Sequence, residues 1–103
     1  MILHCAGCQL ELTEESRVAS ISGSVMGDEY IESYYRCSSC GLYTLIVSRD
    51  RFDGDGELSE TVSGPIGAEE GEKRVAVIRQ CDSPYDKKCR CSAHLAYFKG
   101  RLD

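Results

Sequence analysis

Stretches rich in β-branched and aromatic residues alternate along the chain with turn-forming residues, a pattern typical of strands joined by short connections. Gly23 interrupts the first stretch, which favours a β-bulge at that position. Residues His94–Lys99 have helical spacing and precede Gly100, so they predict a short helix that ends there. The pattern therefore predicts a small, mainly β domain with an antiparallel sheet and one short C-terminal helix. Four strands are predicted: Arg17–Met26, Tyr30–Arg36, Leu42–Ser48 and Lys73–Arg79.

Residues 50–72 are acidic and rich in glycine. Asp53 and Asp55 ahead of Gly56 suggest a calcium-binding loop. However, placing Gly56 at the sixth loop position puts Arg51 first and Val62 twelfth, where carboxylates are required. We therefore predict a solvated, mobile connection instead of a calcium site.

Length and composition indicate that this domain needs cross-links or bound metal in addition to its core. At 103 residues, with no tryptophan and ten glycines, the chain has room for one modest core. Short, polar domains of this kind often depend on disulfides or bound metal for stability. The seven cysteines are the obvious candidates.

Metal ligation explains these cysteines better than disulfides do. The N-terminus lacks the basic segment and long apolar run of a signal peptide, and no apolar run is long enough to span a membrane. We therefore expect a cytoplasmic protein, where thiols are usually ligands or catalysts. Seven cysteines would leave one unpaired, whereas seven cysteines and His94 form two sets of four ligands.

The first predicted metal site consists of two C-x2-C pairs, Cys5/Cys8 and Cys37/Cys40, with 28 residues between Cys8 and Cys37. Two intervening residues let a tight turn direct both sulfurs to one point, and the turn's N–H groups can hydrogen-bond the thiolates. Gly7 and Gly41 supply the permissive backbone that such turns require. The spacing therefore predicts a tetrahedral site of four thiolates.

Residues 1–49 resemble the zinc-ribbon and rubredoxin-like families through these two cysteine pairs. The resemblance implies a metal held between two knuckles at the edge of a small antiparallel sheet. It implies the same four ligands, Cys5, Cys8, Cys37 and Cys40. Because four thiolates suit either zinc or iron, both metals are open at this site.

The second predicted site has the spacing C-x7-C-x-C-x2-H, from Cys81 through Cys89 and Cys91 to His94. Its two closest cysteines need a backbone bend before both sulfurs can bind one metal, and Pro84 breaks regular structure in the preceding loop. The alternative is a cysteine at the end of a strand with two surface thiols. His4 could replace a ligand or support one from outside, but an exposed polar residue is the simpler interpretation.

Charge is divided unevenly along the chain. Residues 1–72 carry a net charge of −10 and residues 73–103 a net charge of +5. The overall negative charge opposes non-specific nucleic-acid binding. Lys87, Lys88 and Arg90 surround the second site, where they either balance thiolate charge or contact phosphate.

No common catalytic motif is present, and metal sites filled by four protein ligands argue for a structural role. We therefore predict a non-catalytic interaction or adaptor module with two zinc ions and another protein as its partner. One alternative is a rubredoxin-like electron-transfer protein with iron at the four-cysteine site. A second is a nucleic-acid-binding zinc protein that uses the basic C-terminal third. All of residues 1–103 are expected to form one domain: a four-cysteine part (1–49), the acidic loop (50–72), and a strand, second site and helix (73–103).

Overall fold

A computed structural model describes residues 3–25, 27–50, 58–99 and 102 of the chain. A short hairpin and a single turn of 3-10 helix, Glu14–Ser16, precede the main sheet. The sheet is followed by two helices. The strands are β1 (Leu3–His4), β2 (Glu11–Leu12), β3 (Arg17–Val25), β4 (Asp28–Arg36), β5 (Tyr43–Asp50) and β6 (Leu58–Ile66), and the helices are α1 (Ala68–Arg79) and α2 (Ser92–Tyr97).

The strands β3 to β6 form one antiparallel sheet in chain order. The register places Tyr34 of β4 between Ala19 of β3 and Leu45 of β5. Since successive side chains of a strand point to opposite faces, one face of the sheet collects the larger buried residues. The prediction of a small, mainly β fold with an antiparallel sheet is confirmed.

Both helices pack on this face of the sheet and complete its core. The fully buried Phe98 follows α2, while Val75 and Ile78 come from α1. Helix α1 approaches closely at Gly71, where an added Cβ would lie 2.1 Å from the ring of Tyr43. The rest of the core cluster comes from the strands: Ile21, Tyr34, Tyr43 and Leu45.

The strand predicted over residues 73–79 is wrong, because this segment lies within helix α1. Its β-branched residues favour a strand, but the buried positions Gly71, Val75 and Ile78 recur at helical spacing. On the exposed side, the i,i+4 ion pairs Glu69–Lys73 and Glu70–Arg74 support the helix. Helix α1, and not a strand, therefore leads to Cys81.

The predicted solvated, mobile connection over residues 50–72 is wrong for its described part, which forms a strand and the start of a helix. Strand β6 pairs with β5 across residues 58–66, and α1 begins at Ala68. Both faces of β6 are exposed from residue 59 to residue 65, so the sequence of this strand shows no alternation of apolar and polar residues. Residues 51–57 lie outside the described residues, and with them the rejected calcium loop of Asp53, Asp55 and Gly56.

Gly23 has a different role from the predicted bulge. It pairs in regular register with Tyr30, and the irregularity of β3 lies between Arg17 and Ala19. An added Cβ at Gly23 would lie 2.6 Å from the ring of Phe98. Gly23 therefore allows the aromatic ring that follows α2 to pack directly on the backbone of β3.

The predicted C-terminal helix is present as α2, which ends at Tyr97. Gly100, its predicted stop, lies outside the described residues. No helix in the described ranges is long and apolar enough to cross a membrane.

Candidate metal centres

The first cysteine pair lies in a tight turn between β1 and β2. The N–H of Gln9 donates to the carbonyl of Cys5 (3.0 Å), and the N–H of Cys5 donates to the carbonyl of Leu10 (2.8 Å). Gln9 occupies the left-handed region with φ of 68°. This turn brings the thiols of Cys5 and Cys8 to the same side of the chain.

The second cysteine pair, between β4 and β5, repeats this backbone. The N–H of Gly41 donates to the carbonyl of Cys37 (2.9 Å), and the N–H of Cys37 donates to the carbonyl of Leu42 (3.0 Å). Gly41 has φ of 75°, which confirms its predicted permissive backbone. Gly41 therefore corresponds to Gln9, so a comparison of the two pairs in the sequence could have identified Gln9 as a special position.

Gly7 meets a packing requirement in the first turn. An added Cβ there would lie 2.9 Å from the side chain of Leu42. Next to it, the N–H of Ala6 donates to the hydroxyl of buried Thr44 on β5 (2.9 Å). The first knuckle is thus attached directly to the main sheet.

The two knuckles bring all four predicted thiols of the first site together. Their sulfurs all lie within 4.8 Å of one another. The pairs Cys5–Cys40 and Cys8–Cys37 are each 3.6 Å apart. Metal–sulfur bonds of about 2.3 Å in a tetrahedron require sulfurs about 3.8 Å apart. The cluster therefore has the size of a tetrahedral four-thiolate site.

Backbone hydrogen bonds favour the ionised form of the two buried thiols. Burial of Cys5 opposes ionisation, but the N–H groups of Cys8 and Gly7 point at its sulfur and lower the pKa to about 6. The pKa of Cys37 is also lowered, first by the N–H of Cys40. Since a metal binds the thiolate, these N–H groups prepare the site for a cation.

The second site gathers four ligands from the end of α1, the following loop and the start of α2. The sulfur of Cys81 lies 3.7 Å from that of Cys89 and 3.4 Å from that of Cys91. The Nδ1 of His94 lies 3.1 Å from the same sulfur, and all four ligand atoms lie within 4.8 Å of one another. The structure therefore brings together the second predicted set, including the C-x-C pair.

Helix α2 begins directly after the C-x-C pair, at Ser92. Cys91 is the N-cap of that helix, and its sulfur accepts a hydrogen bond from the N–H of His94 (3.4 Å). This bond lowers the pKa of Cys91. Burial has the opposite effect on Cys81 and raises its pKa to about 12. Ionising Cys81 in this buried place requires a positive charge beside it.

His94 is oriented for metal binding by its second ring nitrogen. The residue is fully buried, and its Nε2–H donates to the carbonyl of Ser22 on β3 (2.6 Å). A carbonyl only accepts hydrogen bonds, so Nε2 carries the proton and the lone pair of Nδ1 faces the three sulfurs. An acceptor on the outer nitrogen is the usual partner of a metal-bound histidine. No sequence pattern identifies Ser22 as a partner of this site, because it contributes a backbone carbonyl from a strand distant along the chain.

The loop of the second site is attached to the same residue of β3. The N–H of Ser22 donates to the carbonyl of Pro84 (2.7 Å). Both backbone groups of Ser22 are therefore used by residues 84–94, at the edge of the sheet formed by β3. The second site is thus joined to the edge strand β3 by backbone hydrogen bonds.

Lys87 and Arg90, two of the three basic residues of this loop, contact neighbouring groups. Lys87 forms an ion pair with Glu29 (2.7 Å). Arg90 donates to the carbonyls of Lys87 and Cys89 (2.9 Å each). His4, by contrast, is exposed on β1 opposite Glu11 and is not among the four ligand residues of the first cluster.

The two clusters have the chemistry of sites that could hold metal ions, each with four protein ligands. They are consistent with sites of the zinc-ribbon type. Comparison with protein-family models, curated proteins and solved structures finds no match to this chain.

Proposed function

We propose that this chain is a non-catalytic zinc protein in which two zinc ions hold the fold and the surface binds another protein. The orientation of His94 carries the metal-binding part of this proposal. Its Nε2–H is bound to Ser22 while Nδ1 faces three thiols, an arrangement suited to a metal and unusual for a histidine that only fills space. We also propose a cytoplasmic location, a compartment in which thiols are usually metal ligands or catalysts.

Zinc is favoured at both sites by ligand type and number. Three thiolates with one imidazole, and four thiolates, are both common structural zinc sets. Four protein ligands complete a tetrahedron, so no position remains for a substrate or an activated water. This is the reason for proposing structural sites without catalysis.

The first test is the metal content of protein purified under conditions that exclude added metal. We expect two zinc ions per chain by elemental analysis and a colourless protein. The thiols should react with a thiol reagent only after a chelator is added. One zinc per chain with three freely reacting cysteines would contradict the second site.

Electron transfer remains the second candidate because two ligands of the first site reach the surface. Cys8 and Cys40 are exposed, so iron bound there would be accessible to a redox partner. Red protein with a reversible one-electron wave after anaerobic expression would favour this function over the interaction role.

Nucleic-acid binding has less support. Lys87 is paired with Glu29 and Arg90 donates to two carbonyls, so both stabilise the loop. A titration with single-stranded DNA at two salt concentrations tests this alternative. We expect no saturable binding at physiological salt, and a steep loss of measurable affinity with added salt would contradict our proposal.

A further inference from the structure

A groove lies on the sheet face opposite the two helices, between the β1–β2 hairpin and β6. Its floor is apolar and is formed by Leu12, Tyr35 and Ile46. Three carboxylates surround this floor, from Glu11, Glu14 and Glu60. We call this site the acidic groove.

The acidic groove offers negative charge that the described residues do not neutralise. Glu14 is paired with Arg17 (2.8 Å) and accepts a hydrogen bond from Tyr35. Within the described ranges, no ion pair is found for Glu11 or Glu60. Burial, and after it the charge of Glu14, raises the pKa of Tyr35, as expected beside carboxylates.

The first metal site lies directly beneath this groove. Leu12 forms one buried cluster with Cys5 and Cys37, and Tyr35 packs against that cluster. A divalent ion with four thiolates carries a net negative charge, which adds to the field of the carboxylates. The carboxylates at its rim attract cations, and the proposed metal site next to Leu12 and Tyr35 would add to this negative field.

Strand β6 forms one side of the groove and is the last strand of the sheet. Among the described residues it pairs only with β5. Glu60 and Val62 are two positions apart and so share one face of the strand. Val62 is 51% exposed, and Ile31 on β4 is 43% exposed. An edge strand beside exposed apolar side chains is a template for the addition of another strand.

The side chains of β6 indicate which residue types a complementary added strand would contain. A strand paired with β6 would place every second side chain over the groove face, next to Glu60 and Val62. Lysine or arginine would suit the position next to Glu60, and an apolar residue would suit the position next to Val62. A second copy of β6 fits poorly, because Leu58–Ile66 contains no basic residue and its own Glu60 would face carboxylates.

We propose that β6 and the acidic groove bind an extended segment of another protein in which basic and apolar residues alternate along one face. The inference rests on the proposed interaction function and names the surface and the partner chemistry. Strand addition supplies affinity through backbone hydrogen bonds, and the groove supplies the preference for basic side chains.

The test uses the zinc-loaded full chain and a random nine-residue peptide library displayed on phage. Selected peptides should be enriched in Lys or Arg alternating with Val or Ile. A synthetic copy of one selected peptide is then titrated against three proteins: the unchanged chain, Glu60→Lys and Glu72→Lys. Glu72 is exposed on α1, on the opposite side of the sheet, and its substitution makes the same change in net charge.

We expect Glu60→Lys to raise the peptide Kd at least tenfold and Glu72→Lys to raise it less than twofold. Amide shifts on binding should centre on β6. Unchanged zinc content of both variants shows that the fold is kept. Failure to enrich any peptide, enrichment of acidic peptides, or equal losses with both variants would overturn the proposal.

Two further outcomes separate this proposal from its rivals. Selected peptides whose amide shifts map to another face overturn the acidic groove but leave the interaction role standing. A concentration-dependent dimer that Glu60→Lys disrupts in sedimentation equilibrium overturns the proposal in favour of a second copy of the chain.

Discussion

A single residue determines the backbone strain of each cysteine-containing turn, or knuckle (residues 5–10 and 37–42). The two knuckles use the same hydrogen bonds, but the residue after the second cysteine is Gly41 in one and Gln9 in the other. Both residues have positive φ, which is unfavourable for a side chain that carries a Cβ. The first knuckle therefore contains strain that the second avoids.

This difference predicts opposite effects of two substitutions. Gln9→Gly should stabilise the protein by about 0.5 kcal/mol, since relief of strain is partly offset by the greater freedom of glycine when unfolded. Gly41→Ala should destabilise it by about 1 kcal/mol. Denaturant unfolding in a fixed zinc buffer measures both effects.

Gly67→Ala is the matched control for this pair. An added Cβ at Gly67 meets no atom within 4 Å, and its φ is −59°. Gly67 is the N-cap of α1, so its substitution should cost about 0.5 kcal/mol through the weaker N-cap, without backbone strain. Destabilisation by Gln9→Gly as large as that by Gly41→Ala would show that the first knuckle needs the glutamine side chain.

At the level of elements, sequence patterns were informative where local preference and tertiary environment agree. Strands β3, β4 and β5 carry β-branched and aromatic residues toward a core, so their positions were predicted within one or two residues. At helix α1 the sequence favours a strand, because Val75 and Val77 alternate with other residues. The helix forms because its buried side packs on the sheet, for example where Gly71 lies against the ring of Tyr43. Cysteine spacing indicated both ligand sets, but the carbonyl of Ser22 that orients His94 is set only by the fold.

The structure predicts that the second site supports more than its own loop. Phe98 belongs to the core with Ile21 of β3, and His94 is bound to Ser22 on the same strand. His94→Ala should therefore remove one zinc ion and lower amide protection in both α2 and β3. Native mass spectrometry and hydrogen exchange measure the two effects.

His4→Ala provides the control, since the chain has only two histidines and His4 is exposed. This variant should keep both zinc ions and normal protection. If His94→Ala loosens only residues beyond 80, the second site is independent of the sheet and this prediction is wrong.

For the whole molecule, both metal sites join parts of the chain that the core alone holds weakly. The first site connects the hairpin near the N-terminus to the turn between β4 and β5, and the second connects the two helices. Among the residues that the structure describes, the main core cluster contains seven buried residues, which is modest for a small domain. We therefore expect the proposed zinc ions to contribute a large share of the folding free energy.

Removal of metal should unfold the chain. Structural zinc sites have apparent binding free energies on the order of 10 kcal/mol or more, which is comparable to the entire usual stability of a small domain. A chelator should abolish the dispersed amide NMR spectrum, and added zinc should restore it. A spectrum that stays dispersed in the metal-free protein would show that the core is sufficient.

The hydrogen bond from His94 to Ser22 has a further thermodynamic consequence. Binding equilibria that share a structural element are linked, and the coupling between them is reciprocal. If metal at the second site orders β3, then an ordered β3 raises the affinity of that site by the same factor. Damage to the core that loosens β3 would thus weaken zinc binding at the second site, so the zinc affinity of that site reports whether a strand far from its cysteines in sequence is intact.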